Sequence, residues 1–283
     1  LAKICSVMKK HKIFPMALGN GTNFLFPDEG LPDMFFISTE KLQKIMLNED
    51  GTIYAESGVS LSRLSGFAQQ NGLKGLEFAS GIPGTVGGGI RMNAGAYGGE
   101  MKDVVKSVVY YFYPDQGLYE QLGEDCRFSY RSSFFQNNPA CILSAVFALE
   151  KDDPDAIASR MREINEKRRA KQPLDLPSAG SAFKRPEGHY AAALIEECGL
   201  KGYRNGNAQV SEKHAGFVVN LGGASAGDVY DLMMHVRNEV YLQKQVELLP
   251  EIIILPPDCK LPDTSPDAPR NVAFTNGSFE QEN

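Results

Sequence analysis

The sequence predicts an α+β fold in which strands and helices do not alternate strictly, and three observations support this. The strand-like segments Val104–Tyr113 and Ala140–Leu149, rich in β-branched and aromatic residues, are not joined by a long amphipathic helix. Within the glycine-rich stretch Gly81–Gly99, the glycines at 87–89 are followed by Ile-Arg-Met-Asn and not by the long helix that opens a Rossmann unit. The run Lys171–Pro177 then breaks a predicted helix and indicates a boundary between two domains.

In the first half of the chain, apolar spacing and cap residues define the remaining elements. Apolar residues at helical spacing predict the helices, and short apolar or β-branched runs predict the strands. Ser60 is a suitable N-cap and Gly72 a suitable C-terminal stop. The predicted elements are a helix over Leu1–His11, a buried strand over Phe14–Leu18, a strand over Phe24–Phe26, a strand over Thr52–Glu56 and a helix from Ser60 to Gly72.

The second half is predicted by the same signals. Asp153 followed by Pro154 is typical of a helix start, and the cations Lys167–Arg169 suit the C-terminal end of its dipole. Ser225 and Asp228 form a capping pair whose helix presents an apolar stripe to the core. Further predicted elements are a short helix over Tyr190–Glu197, a strand over Gly216–Asn220, the stripe Val229, Leu232, Met233, Val236 and Val240, a strand over Ile252–Leu255, and a disordered tail from Pro256.

Composition restricts the possible classes of protein. The chain has 283 residues, of which 42% are hydrophobic and 23% charged, as in ordinary globular proteins. A net charge of −6 argues against a nucleic-acid partner. The five cysteines are widely spaced and contain no C-x-x-C pair, so we expect free thiols and no metal site. Because no apolar run approaches the ~20 residues of a membrane span, we expect a cytoplasmic protein with no membrane partner.

Two glycine-rich loops are candidates for holding a ligand. Glycine lets the backbone approach a ligand closely, so the amides of Gly81–Gly99 can converge on an anion such as a diphosphate. The Asn93 amide is suited to hydrogen-bond a flat heterocycle. The turn from Gly19 to Asn23 is a second candidate. Together the two loops are predicted to bind one cofactor. The alternative is that both are tight turns with no ligand.

Two further segments mix polar and aromatic residues. For Cys126–Phe135, the alternative to a functional role is a purely structural one, in which Tyr130 and Phe134 form a buried face and Arg131 lies at a solvated edge. Ser181 lies among small residues with no G-x-S-x-G elbow, so a hydrolase nucleophile is not indicated there.

Taken in their order along the chain, the motifs resemble those of one family, the UDP-N-acetylenolpyruvoylglucosamine reductases of peptidoglycan synthesis, or MurB. The resemblance extends from about Pro15 to Leu255. The motifs are Leu18-Gly-Asn-Gly-Thr-Asn23, Gly81-Ile-Pro-Gly-Thr-Val-Gly-Gly with Met92-Asn-Ala-Gly-Ala-Tyr-Gly98, Tyr130-Arg-Ser-Ser133, Gly180-Ser-Ala-Phe-Lys184, Gln209-Val-Ser-Glu-Lys-His214 and Pro250-Glu251. The resemblance implies an FAD-binding domain of the vanillyl-alcohol-oxidase type, with two α+β subdomains, plus a substrate domain. We expect the FAD domain over 1–150, with subdomains of about 1–38 and 39–150, the substrate domain over 151–255 and a tail over 256–283.

The resemblance also implies the chemistry. FAD, bound without a covalent link, takes a hydride from NADPH and reduces the enolpyruvyl group of UDP-N-acetylglucosamine enolpyruvate. The implied cofactor residues are Gly19, Asn20, Gly21, Thr22, Asn23, Gly81, Ile82, Pro83, Gly84, Thr85, Gly87, Gly88, Asn93, Ala94 and Gly95.

Three catalytic roles follow from the same resemblance. Arg131 matches the arginine that stabilises developing negative charge, and Ser181 matches the serine that protonates C2. Glu251 matches the glutamate that orients or polarises the enolpyruvyl group, and burial that raised its pKa would let a protonated carboxyl donate a hydrogen bond. The candidates for binding substrate are Tyr130, Lys184, Arg185, Gln209, Lys213 and His214. For Lys213 and His214, a position on the surface without a role in binding is an equally good interpretation.

The sequence departs from the family pattern in three places. Family members carry an additional N-terminal segment with a Thr-x-x-x-x-Gly-Gly element that helps cover the flavin, and this chain begins after it, so the resemblance by itself does not predict the affinity for FAD. Arg185 replaces the Asn that many members carry after the lysine. No insertion between Ser181 and Glu251 carries a substrate-covering tyrosine loop, which indicates the shorter subgroup. Two alternatives remain open: another FAD-linked oxidase or dehydrogenase, or a non-catalytic nucleotide-sugar-binding relative. We expect a monomer.

Overall fold

The computed structural model of the chain describes residues 2–11, 13, 15–32 and 34–255. Leu1, Phe14, Cys259 and the predicted disordered tail from Pro256 lie outside the described residues. The helices are α1 (Ala2–Lys10), α2 (Leu61–Gln70), α3 (Val86–Met92), α4 (Pro154–Lys171), α5 (Ala191–Glu197) and α6 (Ala226–Lys244). The strands are β1 (Met16–Leu18), β2 (Phe24–Leu25), β3 (Phe36–Ser38), β4 (Ile45–Leu47), β5 (Ile53–Glu56), β6 (Leu73–Lys74), β7 (Gly95–Ala96), β8 (Gly99–Glu100), β9 (Val105–Phe112), β10 (Gly117–Leu122), β11 (Ala140–Phe147), β12 (Glu150–Lys151), β13 (Ser178–Ser181), β14 (Arg204–Asn205), β15 (Ala208–Val210), β16 (Phe217–Asn220) and β17 (Ile253–Ile254).

The described residues form two compact units. The first contains residues 2–21 and 34–168, and the second contains 22–32 and 169–255. The division falls inside α4, between Arg168 and Arg169. Residues 22–32 join the second unit because β2 pairs in parallel with β17, with Phe24 opposite Ile253. The FAD domain was expected as one continuous range, 1–150, whereas residues 22–32 of that range belong to the second unit.

The first unit is built on a five-stranded sheet in the order β10-β9-β11-β5-β4, with all neighbours antiparallel. Its core includes Phe135, Phe147 and Ile53, all fully buried, together with Leu61 and Leu64 from α2. The predicted N-cap of α2 is confirmed, because the Ser60 hydroxyl accepts a hydrogen bond from the Arg63 amide at 3.2 Å. The mixed α+β class is therefore confirmed in this unit.

The glycine-rich stretch contains a helix that the sequence analysis did not predict. Thr85 caps α3 by accepting a hydrogen bond from the Gly88 amide at 3.4 Å, and Asn93 ends the helix in the left-handed conformation. The prediction missed this helix because glycine costs about 1 kcal/mol per residue in a helix interior relative to alanine. With 7 residues, α3 remains far shorter than the helix of a Rossmann unit.

The second unit has a four-stranded antiparallel sheet in the order β13-β16-β15-β14, covered by α5 and α6. The capping box of α6 is confirmed: the Ser225 hydroxyl accepts from the Asp228 amide, and the Asp228 carboxylate accepts from the Ser225 amide, both at 3.0 Å. The predicted stripe of α6 is also confirmed, with Val229 half-buried and the other four residues buried.

Two findings concern the chain as a whole, as far as the structure describes it. Cys5, Cys126, Cys141 and Cys198 are not in disulfides. Within the same residues, the helices are too short or too polar to cross a membrane.

Candidate active site

The two glycine loops meet in the first unit. A Cβ atom placed on Gly19 would lie 2.4 Å from the Thr85 hydroxyl oxygen, so the loops touch at a point where a side chain does not fit. The predicted cofactor residues of this unit are Gly19, Asn20, Gly21, Gly81, Ile82, Pro83, Gly84, Thr85, Gly87, Gly88, Asn93, Ala94 and Gly95, whereas Thr22 and Asn23 belong to the second unit. Gly19 and Thr85 thus bring the two loops side by side, and their holding of one cofactor stays a prediction.

Close packing accounts for several of these glycines without any ligand. A Cβ on Gly87 would lie 3.0 Å from the Cβ of Ser57, and one on Gly95 would lie 2.8 Å from the carbonyl oxygen of Gly99. Gly84 has φ 139°, a conformation that favours glycine. The tight-turn alternative therefore explains part of the pattern.

Gly88 is different, because packing does not require a glycine there. It is exposed in α3, and a Cβ at this position would meet only the Thr85 hydroxyl oxygen, at an ordinary 3.6 Å. Glycine in a helix costs about 0.5–1 kcal/mol relative to alanine, and at Gly88 no packing gain offsets that cost. An open backbone surface of this kind fits a ligand that approaches the main chain.

The segment that carries Arg131 is fastened to α3. The Arg91 guanidinium donates to the carbonyls of Phe135 and Gln136, the latter at 3.1 Å, and the Ser133 hydroxyl donates to the Arg91 carbonyl at 2.8 Å. Burial lowers the pKa of Arg91 to about 10, so it stays charged at neutral pH. Arg91 is a positioning residue that the sequence analysis missed, although an arginine within a run of small residues was a possible signal.

Arg131 itself has φ 53°, an unusual conformation for a residue other than glycine. Its Nη1 donates to the carbonyl of Gly95 at 3.1 Å, and its guanidinium lies 5.4 Å from the centre of the Tyr130 ring. Strained backbone of this kind clusters at functional sites. The structural alternative for this segment is wrong, because Tyr130 is exposed and Arg131 lies against the glycine-rich stretch.

The side chain of Asn93 is held by other groups of the first unit. Its side chain is buried, and both amide hydrogens are used, in bonds to the Glu100 carboxylate at 2.7 Å and the Ser129 carbonyl at 3.0 Å. The Asn93 side-chain oxygen accepts from the Lys102 amide at 2.9 Å. Both amide hydrogens of Asn93 are therefore engaged within the protein, and its predicted role at a flat heterocycle stays a prediction. The Asn93 bond to Ser129 positions the segment that carries Arg131.

In the second unit, Ser181 and Glu251 lie on adjacent backbone segments. Ser181 ends β13 opposite Phe217, after a left-handed Gly180. The next residue, Ala182, accepts a hydrogen bond from the Glu251 amide at 2.9 Å. The Asn23 side chain donates to the carbonyl of Glu251 at 3.1 Å. Both predicted catalytic residues of this unit are half-buried, so their side chains retain access to a ligand.

Comparisons with known proteins match an N-terminal and a C-terminal stretch of the chain to two different family models. The sequence profile of the FAD binding domain matches residues 1–115, and that of the UDP-N-acetylenolpyruvoylglucosamine reductase C-terminal domain matches residues 172–255. The reductase of Limosilactobacillus reuteri is 44% identical over 89% of this chain and 84% of its own length. The reductase of Caldanaerobacter subterraneus is 44% identical over 90% of this chain and 83% of its own length.

The chain belongs to the UDP-N-acetylenolpyruvoylglucosamine reductase family. A solved structure agrees: MurB from Thermus caldophilus aligns with a TM-score of 0.76 and 34% identity over 88% of each chain. The family resemblance, the FAD-binding domain fold and the C-terminal reductase domain expected from the motifs are confirmed.

The six substrate residues expected from the reductase resemblance have different surroundings. The Lys184 amide donates to the Leu249 carbonyl at 2.8 Å, and the Arg185 guanidinium lies 4.1 Å from the centre of the Tyr190 ring. Gln209 is buried in β15, where its amide donates to the Gly202 carbonyl at 3.1 Å. Lys213 is exposed, and its ammonium donates to the Arg169 carbonyl at 2.6 Å. The sixth candidate, Tyr130, lies in the first unit.

The hydrogen bond to His214 and its burial both favour the neutral form of its ring. Its Nδ1 accepts a hydrogen bond from the Gly216 amide at 3.1 Å, which leaves Nε2 to carry the proton. Burial lowers the pKa of His214, which favours this neutral form. The ring packs edge-on against Phe217, with centroids 5.1 Å apart. His214 can therefore donate one hydrogen bond, but it does not supply a positive charge at neutral pH.

Proposed function

We propose that this chain reduces UDP-N-acetylglucosamine enolpyruvate to UDP-N-acetylmuramate, with NADPH as the hydride donor and non-covalent FAD as the cofactor. The observation that carries the proposal is the match to the reductases across both units, at 44% identity over 89% of the chain. Because both substrates are nucleotides of the cell interior, we place the reaction in the cytoplasm, as a step of peptidoglycan synthesis.

The residues of the first unit fit an FAD molecule. Gly19 and Thr85 bring the two glycine loops into contact, and Gly88 leaves its backbone open where packing does not require a glycine. When bound, FAD would accept a hydride from NADPH and deliver it to C3 of the enolpyruvyl double bond. The two glycine loops are the residues we assign to holding it.

The proposed role of Arg131 follows from where negative charge develops. Hydride addition at C3 leaves charge at C2, which is shared with the neighbouring carboxylate. A guanidinium has a planar set of donors that suits such oxygens. The bond from Arg131 to the Gly95 carbonyl and the attachment of its segment through Arg91 support a fixed position. A donor that is already oriented stabilises the charge without reorganising during the reaction.

Ser181 is proposed to protonate C2. A hydroxyl is a weak acid, but a carbanion is a strong base, so the position of the hydroxyl matters more than its pKa. The left-handed Gly180 bends the strand immediately before Ser181, at an irregularity in the register between β13 and β16. Such irregularities turn a side chain away from the regular pleat.

Glu251 is proposed to orient the enolpyruvyl group. The hydrogen bond between the Glu251 amide and the Ala182 carbonyl ties it to the residue that follows Ser181. The Asn23 amide holds the carbonyl of the same residue. These two backbone contacts support a shared role for Ser181 and Glu251 at one end of the substrate.

The experiment is a visible absorption spectrum of the purified chain under anaerobic conditions. We expect flavin bands that bleach with NADPH and return when UDP-N-acetylglucosamine enolpyruvate is added. Bleaching without return would contradict the proposed substrate. A protein that stays colourless after incubation with FAD would favour the non-catalytic nucleotide-sugar-binding alternative.

A further inference from the structure

Tyr190 is a large aromatic residue on the surface of the second unit. Its exposed fraction is 63%, so its ring contributes little to the core. It occupies the N-cap position of α5, with φ −115° and ψ 121°, but its side chain makes no capping hydrogen bond to the described amides of that helix. Serine, threonine, aspartate and asparagine favour an N-cap, because their side-chain oxygens accept from the first amides of a helix. Neither packing nor capping therefore accounts for a tyrosine at this position.

The ring of Tyr190 lies against the side chain of Arg185. The guanidinium carbon is 4.1 Å from the centre of the ring, well within the distance of about 6 Å at which a cation is attracted to an aromatic face. A tight turn joins the two residues: the His189 amide donates to the Pro186 carbonyl at 3.2 Å, and Gly188 has φ 70°. The planar guanidinium is the cation best suited to stack on a ring in this way.

Arg185 follows Ser181 by four residues, on a segment whose backbone is fixed. The Lys184 amide donates to the Leu249 carbonyl at 2.8 Å, two residues before Glu251. The side chain of Arg185, in contrast, is exposed. A long side chain of this kind loses considerable rotamer entropy when a ligand fixes it. A contact that restricts the guanidinium beforehand reduces that loss.

The proposed substrate carries its enolpyruvyl group and its diphosphate on the same sugar ring. The residues that bind these two groups must therefore be near neighbours, as Ser181 and Arg185 are along the chain. A guanidinium offers a planar fork of donors that suits phosphate oxygens. Arg185 was a substrate candidate from the sequence, whereas Tyr190 was not.

We propose that Tyr190 is a positioning residue for substrate binding, whose ring holds the Arg185 guanidinium ready for the diphosphate of the nucleotide sugar. This inference rests on the proposed function, because it requires a UDP-linked substrate. The diphosphate is remote from the reacting carbons, so the contact is equally strong in the ground state and in the transition state. Loss of the ring should therefore raise KM and leave kcat unchanged.

The test replaces Tyr190 by serine, which removes the ring and introduces a favoured N-cap residue. The free energy of unfolding in urea should therefore stay equal or rise. We nevertheless expect the Kd for UDP, measured by calorimetry, and the KM for the enolpyruvyl substrate to rise about two- to fivefold, the factor typical of an exposed cation–π pair. Tyr190→Phe keeps the ring and should bind UDP as the unchanged chain does. A purely structural role would instead make stability and binding decline together.

A double-mutant cycle shows whether Tyr190 acts through Arg185. Arg185→Gln removes the cation, so Tyr190→Ser should have no further effect on UDP binding in that background. Tyr241→Leu is the matched control, because Tyr241 is another exposed tyrosine of the second unit, on α6. We expect Tyr241→Leu to leave the Kd for UDP unchanged.

Unchanged UDP affinity in Tyr190→Ser would overturn the proposal. An equal loss of affinity with and without Arg185 would also overturn it, because the ring would then act on the ligand directly or through the fold. If Tyr190→Ser does not fold, Tyr190→Leu takes its place in the same cycle, with the same expected and contrary results. An unchanged chain that binds no UDP would overturn the proposed function itself, and with it this inference.

Discussion

Replacing Gly88 by alanine should stabilise the protein and at the same time weaken its binding of FAD. The two effects have opposite signs because they have different causes. Alanine is the better helix former, and the new Cβ would meet only the Thr85 hydroxyl oxygen, at 3.6 Å. The same Cβ would cover the backbone surface that we assign to the cofactor.

The size of the stabilisation follows from helix propensity. Exchanging glycine for alanine inside a helix is worth about 0.8–1 kcal/mol, and a contact of 3.6 Å adds no overlap to subtract. For FAD binding, a methyl group placed between the backbone and the cofactor forces them apart. We expect the dissociation constant to rise at least tenfold, which corresponds to about 1.4 kcal/mol.

Gly66 provides a matched control. It lies within α2, and a Cβ there would meet nothing within 4 Å. Gly66→Ala should therefore raise the free energy of unfolding by a similar amount and leave FAD binding unchanged. Urea denaturation of the apo-proteins measures the first quantity, and flavin fluorescence titration measures the second. An FAD affinity of Gly88→Ala equal to that of Gly66→Ala would refute the assignment of Gly88 to the cofactor surface.

Three further predictions concern the remaining residues of the site. Ser181→Ala should leave flavin reduction by NADPH within about twofold while slowing reoxidation by the enolpyruvyl substrate about 10²–10⁴-fold in stopped-flow experiments, with Ser178→Ala as an exposed control. Asn93→Ala removes three internal hydrogen bonds and should lower the free energy of unfolding by about 3 kcal/mol in urea denaturation, against less than about 1 kcal/mol for the exposed Asn71→Ala. Burial lowers the pKa of His214 below the ordinary 6.5. Between 6.5 and the lower pKa of the folded state, the unfolded chain therefore binds more protons than the folded chain, and the free energy of unfolding should decrease as the pH falls below about 6.5. In His214→Gln, acid denaturation curves should show a smaller decrease.

Each of these predictions has a contradicting result. Equal loss in both half-reactions of Ser181→Ala would exclude a role confined to proton donation. An Asn93→Ala variant as stable as Asn71→Ala would show that the Asn93 bonds contribute little. For His214, a variant whose stability follows the same pH dependence as the unchanged chain would assign that dependence to other groups.

Local sequence signals were sufficient where short-range interactions decide the structure. Ser60 and the pair Ser225 and Asp228 were recognised as caps because a cap bonds to amides two or three residues away. The apolar stripe of α6 was recognised because helical periodicity places its members on one face. The motifs around Arg131, Ser181 and Glu251 indicated the family for the same reason, since each is a short continuous string.

The sequence by itself thus determined the α+β class, most helix and strand positions and the family, because these depend on periodicity, caps and short motifs. Only the tertiary structure decided that residues 22–32 join the second unit, since β2 finds its partner β17 more than 200 residues along the chain. It also decided that the Asn93 amide is used internally and that Arg168 is buried against Gly81. The physical reason is that polar side chains of one type serve as surface, structural or ligand-binding groups according to which distant groups surround them.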